Sequence, residues 1–133
     1  MIQKTCEKNK EHVYVVFRVI VGLLFFMHGA QKLFGWFGSK GTVPLMSLFG
    51  VAGVIELLAG ILITIGLFTR LAALVSAVQM IAAYAIVHVP QGLLPYANGG
   101  ELAVLYFAAF LAILANGSGT HSLDAKWRAK QHN

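Results

Sequence analysis

The chain has 133 residues, of which 58% are hydrophobic and 11% charged, with a formal net charge of +5. Soluble domains carry about 25% charged residues, so this composition, with a mean hydropathy of +0.74, points to a membrane protein. The basic excess sits in the tails: Lys4, Lys8 and Lys10 precede the first apolar stretch, and Lys126, Arg128 and Lys130 follow the last. The positive-inside rule explains such flanking charges, and no nucleic-acid partner is expected. A single cysteine, Cys6, excludes an intramolecular disulfide, a CxxC redox pair and a cysteine-rich metal site.

In chain order, residues 1–12 form a polar N-terminal tail, expected to be disordered or interfacial. Residues 13–34 are the first apolar span, too long for a signal-peptide core and interrupted by Arg18 and His28. A glycine-rich loop over 35–42 carries Trp36 and Phe37 as interfacial anchors, and Pro44 suits the start of a second span over roughly 45–67. A tight turn at 68–70 leads to a third span, 71–89. Pro90, Gly92, Pro95 and the pair Gly99–Gly100 mark a loop, and a short fourth span runs over 101–115. Beyond it, residues 116–133 form a basic tail in which Ser122 is placed to N-cap a short helix lying along the membrane surface. Four spans of about 20 residues use most of the length, so residues 13–115 are expected to form one transmembrane domain, with any soluble catalytic module on another polypeptide. The predicted fold is an all-α bundle of four transmembrane helices. An even number of spans puts both basic tails and Arg70 on one side, which makes both termini cytoplasmic.

Five ionisable residues, Arg18, His28, Lys32, Glu56 and His88, fall within or at the ends of these spans, and Glu101 opens the fourth. A charged side chain at a helix centre costs roughly 2.5–3.5 kcal/mol on insertion scales, so these groups should meet one another inside the bundle. At 1.5 Å per residue, His28 and Lys32 lie about 15 and 21 Å beyond Arg18. His28, Lys32, His88 and Glu101 are therefore expected at the outer level, and Arg70 and Asp124 at the cytoplasmic level. Helical periodicity aligns Arg18, Gly22, Phe25, Gly29 and Lys32 on span one; Gly53, Glu56 and Gly60 on span two; and Glu101, Leu105, Ala108, Ala112 and Asn116 on span four. The glycines suggest close helix crossings. Gln79 and His88, nine positions apart, point in opposite directions on a regular helix. Gln79 is thus expected to face a second subunit of a homo-oligomer or a neighbouring helix off-axis.

Arg18 is the first-choice partner for Glu56, and Lys32 the second. The pair can be read as an ion bridge fixing helix register, or Glu56 as a proton carrier or ligand for a polar substrate. His28 and His88 admit three readings: interfacial hydrogen bonding, a small-molecule site in which imidazole and Lys32 donate to quinone oxygens, or metal or bis-histidine haem ligation. Of the candidate cofactors a quinone is preferred to haem, and no protein metal site is assigned. Tyr84, one turn before His88, is kept as a ligand-binding candidate.

Several segments together resemble the DoxX family. RVIVGLLFFMHGAQKLFG, from Arg18, is similar to its opening helix, with an Arg, a Gly-rich apolar stretch and then HG-xx-K. ELLAGILITIGLFTRLAAL, from Glu56, is similar to its Glu-xxx-Gly…Gly-xxTR segment. The His88 end of span three, NGGE at Asn98, and GSGTHSLDA from Gly117 also match. The motif positions are Arg18, His28, Gly29, Lys32, Glu56, Thr69, Arg70, His88, Glu101, Ser122 and Asp124. The resemblance implies a multi-pass four-helix bundle in the bacterial cytoplasmic (inner) membrane and an association with redox systems, including membrane subunits of thiosulfate:quinone oxidoreductase and proteins linked to quinone or catechol stress. The spans carry no cysteine, which argues against a covalent sulfur intermediate. The function expected is that of a membrane subunit of an oxidoreductase system handling a quinone or another small redox-active molecule. Glu56, His28 and Lys32 would do the chemistry. Arg18, Tyr84, His88 and Glu101 would help bind the ligand, and Gly29, Gly53, Gly60, Arg70, Ser122 and Asp124 would be structural. Two alternatives remain open: a membrane anchor for a soluble redox enzyme on the cytoplasmic side, and a small oligomeric transporter.

Overall fold

A computed structural model describes residues 1–131, and the described residues are helical with no strand. Helix α1 (Ile2–Phe34) is followed by α2 (Leu48–Ile65) and α3 (Thr69–Ala83). A π-helical turn (Tyr84–His88) and a 3-10 turn (Val89–Gln91) extend α3, and α4 (Glu101–Asn116) and α5 (Leu123–Gln131) complete the chain. Three segments, Ile2–Phe34, Leu48–Ile65 and Thr69–Gln91, are long and apolar enough to cross a membrane; α4 is apolar but shorter. In each of the three, only 33% of the most apolar stretch is buried inside the protein. The remaining surface is studded with exposed large hydrophobics such as Ile20, Leu24, Leu58 and Val78, as expected of helices solvated by lipid rather than by water.

Helix α1 starts at Ile2 rather than at residue 13, and residues 2–13 are all exposed. The polar N-terminal tail is thus an extension of the first helix instead of a disordered leader. Nothing in its sequence stops a helix, since it holds no Gly or Pro. The start of α2 also differs from expectation. It is set by Ser47, whose Oγ accepts a hydrogen bond from the Gly50 amide at 3.1 Å, three residues beyond Pro44. Both α1 and α2 end at glycines in the left-handed region, Gly35 (φ 68°) and Gly66 (φ 72°).

Helices α1 and α2 pack along their length, α3 packs on α4 and α2 on α3, while α1 meets α4 through large side chains rather than close backbones. The α1–α2 seam follows the glycines singled out above. Gly22 and Gly29 on α1, and Gly53 and Gly60 on α2, are each two helical turns apart and buried. A methyl group on Gly60 would sit 2.6 Å from Phe26 Cα, and one on Gly29 2.8 Å from Leu57 Cα. Backbones this close exist only because the side chains are hydrogen atoms, the usual basis of tight helix association in lipid. On the other side of the core, Phe25 packs edge-on to Phe110 (ring centroids 4.7 Å apart) and against Tyr106 (5.3 Å), with Ile63, Ala73, Ala77, Met80 and Ile113 around them.

The inward face of α4 is therefore Ala103, Tyr106, Phe110 and Ile113, not the stripe from Glu101 to Asn116. Leu105 on that stripe is 60% exposed. Alignment on two polar ends picked the wrong face, because both ends of this helix lie outside the apolar packing and need no burial.

Candidate functional site

The ionisable residues fall into two groups at opposite ends of α1, and their partners differ from those the sequence suggested. At the α1–α2 loop end, Lys32 Nζ donates to Glu56 Oε1 at 2.5 Å; this is the one ion pair among the described residues. Gln79 Nε2 donates to the same oxygen at 2.9 Å. The expected Arg18–Glu56 pairing is not made. Helix geometry explains the choice: Arg18 lies 14 positions before Lys32, about 21 Å along α1, and the tight α1–α2 crossing sets Glu56 nearer the Lys32 end. Gln79 thus contacts the neighbouring helix α2, through Glu56 and the Ala52 carbonyl (3.4 Å), which is one of the two placements expected of it.

The objection that Gln79 and His88 cannot share a side is removed by the π-helical turn at Tyr84–His88. A turn closed by i→i+5 bonds rotates less per residue than the about 100° of an α-helix. His88 is thereby swung back toward Gln79, and both line one cleft between α2 and α3. A single-turn π-bulge of this kind often marks a functional position.

An open cavity of about 250 Å³ is lined by His28 and Lys32 from α1, Glu56 from α2, His88 from the π turn and Tyr106 from α4, with Phe25, Met80 and Leu102 among the apolar walls. Glu56 is 3% exposed, and its second oxygen, Oε2, is buried without a hydrogen-bond partner in the protein. Buried polar atoms are nearly always satisfied, so this carboxylate, on a residue that lines the cavity, keeps an acceptor to spare. The His28 ring stands edge-on to Tyr106, centroids 5.7 Å apart. His88 Nδ1 lies 3.2 Å from the Asn98 carbonyl. A carbonyl only accepts, so Nδ1 is the donor in this contact.

Three ligand-binding candidates do not join this group: Arg18, which is bonded at the other end of α1, Glu101 and Tyr84. Glu101 is exposed, stands in the first turn of α4 and does not line the cavity; at a helix N-terminus its charge is favoured by the backbone dipole, which explains its place without a ligand. Tyr84 faces the loop instead. Its hydroxyl donates to the Leu93 carbonyl (2.7 Å) and accepts from Asn98 Nδ2 (3.2 Å). Asn98 also donates to the Gly92 carbonyl and accepts from the Gly100 amide (2.7 and 2.8 Å), so this buried residue organises the loop that holds His88. Sequence reading missed Tyr106, Asn98 and the inward role of Gln79. A buried-stripe search on α4 (103, 106, 110, 113) would have found Tyr106.

At the other end of α1, Arg18 is 2% exposed. Its guanidinium donates to the carbonyls of Ser118, His121 (3.0 Å) and Thr64 (3.4 Å), and Tyr14 donates to the Gly117 carbonyl at 2.5 Å. These bonds fasten the segment after α4 to α1 and α2. Asp124 completes the joint by accepting from the Phe68 amide (2.9 Å), the Thr69 amide (3.1 Å) and Thr69 Oγ1 (3.0 Å). It thereby caps α3 from a distant part of the chain and holds Phe68 in the left-handed region, φ 47°. Ser122 caps α5 as expected, its Oγ accepting from the Ala125 amide at 3.1 Å. Arg70 is exposed and its guanidinium lies over Gly117. Arg18, Arg70, Ser122 and Asp124 thus form a structural joint, with Arg18 about four turns of helix from Lys32.

The DoxX family profile matches residues 13–89. A Haemophilus influenzae protein named "Uncharacterized protein" is 40% identical over 131 residues, covering 93% of this chain and 97% of its own. A Bacillus subtilis protein named "Putative oxidoreductase CatD" is 31% identical over 123 residues, covering 88% of each chain. No solved structure matches the chain.

Proposed function

This chain belongs to the DoxX family of membrane proteins, and on that premise we propose that it is a membrane subunit of an oxidoreductase system, binding the ring of a quinone or a comparably small redox-active molecule in the cavity between its four long helices. The observation that carries the reading is Glu56, with one carboxylate oxygen unpartnered, among the residues of a cavity also lined by Lys32, His28, His88 and Tyr106. Cationic and neutral donors on one wall suit carbonyl oxygens. A carboxylate with one free oxygen suits a hydroxyl, and can take its proton as a quinol is oxidised or return it on reduction. An engineered cavity of about 150 Å³ holds a benzene ring, so about 250 Å³ accommodates one substituted ring. It is below the about 300–1,000 Å³ of drug-sized ligand sites, and a haem exceeds it. The B. subtilis relative's name supports a redox role.

In this reading α1 to α4 form the transmembrane bundle (residues 13–115) of a multi-pass protein of the bacterial inner membrane, with the 1–12 and 116–133 tails in the cytoplasm. The electrons are exchanged with a soluble redox enzyme on that side. The joint built on Arg18 and Asp124 favours a docking role for the C-terminal segment, because it holds α5, with Lys126, Arg128 and Lys130, in one fixed position. The test is equilibrium binding of a short benzoquinone and its quinol to the protein in lipid nanodiscs. Saturable binding that is weakened at least about tenfold, or about 1.4 kcal/mol, by Glu56→Gln or Lys32→Met in a still monodisperse protein supports the site. Absence of saturable binding to the unaltered protein refutes it.

A further inference from the structure

A second cavity, of about 180 Å³, lies between α2 and α3. It shares Lys32, Glu56, Ala83 and His88 with the first cavity, so the two are neighbours across a wall made of the ion pair, one small residue and one imidazole. Their characters differ. The remaining lining of the second cavity is almost wholly apolar, with Ala52 and Ala82 as its small side chains and Leu48, Phe49 and Ile86 at its rim. Those three rim residues are 57%, 48% and 54% exposed, and on helices of a membrane protein that exposure is toward hydrocarbon. The cleft is therefore an apolar slot in the lipid-facing surface whose inner end meets the polar cavity.

We propose that these two cavities form one ligand site, and that its ligand is a ring compound carrying a hydrocarbon tail, taken up sideways from the bilayer: the ring occupies the polar cavity and the tail leaves through the α2–α3 cleft. The inference rests on the ring-binding reading above and adds the ligand class and the route. A polar cavity beside an apolar slot suits an amphiphile and offers little to a compound that is polar throughout. Hydrocarbon gains little by leaving lipid for an apolar cleft, so the tail extends the reach of the ligand without adding much affinity. The ligand stays in the bilayer while its ring passes between Lys32 and His88.

The test uses two probes with one ring, dimethoxy-methyl-benzoquinone and its decyl derivative, with the full chain in nanodiscs and concentrations referred to the bilayer. Both should bind the unaltered protein with affinities within about threefold of each other, because tail transfer from lipid is nearly neutral. Ala82→Phe and Ala52→Phe, each lining the cleft and not the polar cavity, should weaken the decyl probe by about tenfold or more and leave the tail-less ring within about twofold. If both variants bind the decyl probe as the unaltered protein does, the lateral route is overturned while the ring site stands. If neither probe binds the unaltered protein, the ring site falls and the route with it. Should the variants fail to assemble, the unaltered protein decides. A photoreactive group at the end of the decyl tail should label Leu48, Phe49 or Ile86, and labelling confined to Leu23, Phe26 or Ile61, in the groove between α1 and α2, overturns the proposal.

Discussion

The two partners of the buried ion pair are unequal, and that inequality can be measured. Glu56 has a 4% exposed side chain, whereas Lys32 is 28% exposed. Removing Lys32 as Lys32→Met leaves a buried carboxylate whose only remaining donor is Gln79 Nε2. An uncompensated buried charge of this kind costs about 3–5 kcal/mol. Removing Glu56 as Glu56→Gln leaves a lysine on a flexible stem, able to carry its ammonium toward the membrane surface, together with an amide that still accepts. That change should cost about 1–2 kcal/mol, the range of a lost charged hydrogen bond. The double variant Lys32→Met with Glu56→Gln removes both charges, and should be less destabilised than Lys32→Met alone. The coupling between the two sites should thus be about 2 kcal/mol or more in the direction of rescue. Reversible unfolding in bicelles, followed for the four proteins of the cycle, gives these differences directly. Equal losses for the two single variants, or simple addition in the double one, would show that the two side chains do not depend on each other and that Glu56 is satisfied some other way. The same variants address a separate question. A Glu56→Gln protein that assembles and unfolds normally yet no longer binds the quinone ring has lost a ligand contact, and the purely structural reading of the carboxylate then fails.

Arg18→Met removes three donations to the carbonyls of Thr64, Ser118 and His121 and should cost at least about 3 kcal/mol; it should also free the C-terminal segment, seen as faster tryptic cleavage at Lys126 and Arg128 in nanodiscs. Asp124→Ala strips the remote cap from α3, with an expected loss of about 1–2 kcal/mol, while Asp124→Asn, which can still accept, should recover most of it in the same unfolding assay. Gly60→Ala places a methyl group against the α1 backbone at Phe26 and should cost about 1–3 kcal/mol by overpacking. Gly53→Ala meets only side-chain atoms of Lys32 and Leu33, at 3.1–3.2 Å, and should cost clearly less.

The lipid-facing character of the helices, the glycine seam and the inward turn of Arg18, Glu56 and Lys32 were all legible in the chain, because each follows from one-dimensional spacing. Charges inside apolar stretches must face inward, and small residues two turns apart must mark a close approach. The identity of Glu56's partner was not legible, since it depends on the relative height of α1 and α2, and the length and bends of the 35–47 connection fix that height. The face of α4 was misread for a related reason: polar end residues were taken to define a stripe, although helix ends in a membrane protein reach water and place no demand on the core. Gln79 and His88 were misjudged because the argument assumed a regular helix. No residue pattern in the sequence Tyr-Ala-Ile-Val-His announces a π turn.

These errors share a consequence for how the site is built. Four of the five polar groups of the cavity come from positions that a regular bundle would deliver: His28 and Lys32 one turn apart on α1, Glu56 between its glycines, and Tyr106 on the buried face of α4. The fifth, His88, arrives only through the π turn and is then held by the Asn98 carbonyl, with Tyr84 bracing Asn98 in turn. A wide turn costs hydrogen-bond geometry, and here a loop network of five hydrogen bonds among Tyr84, His88, Gly92, Leu93, Asn98 and Gly100 offsets that cost. Tyr84 therefore acts on the cavity at one remove. Its conversion to Phe should leave the fold intact but loosen His88, so that ring binding weakens by a few fold, about 0.5–1 kcal/mol, while Lys32–Glu56 coupling stays unchanged. If the Tyr84→Phe protein bound the ring with undiminished affinity, the loop would hold itself without the tyrosine, and the seat of His88 would have to be sought in the helix alone.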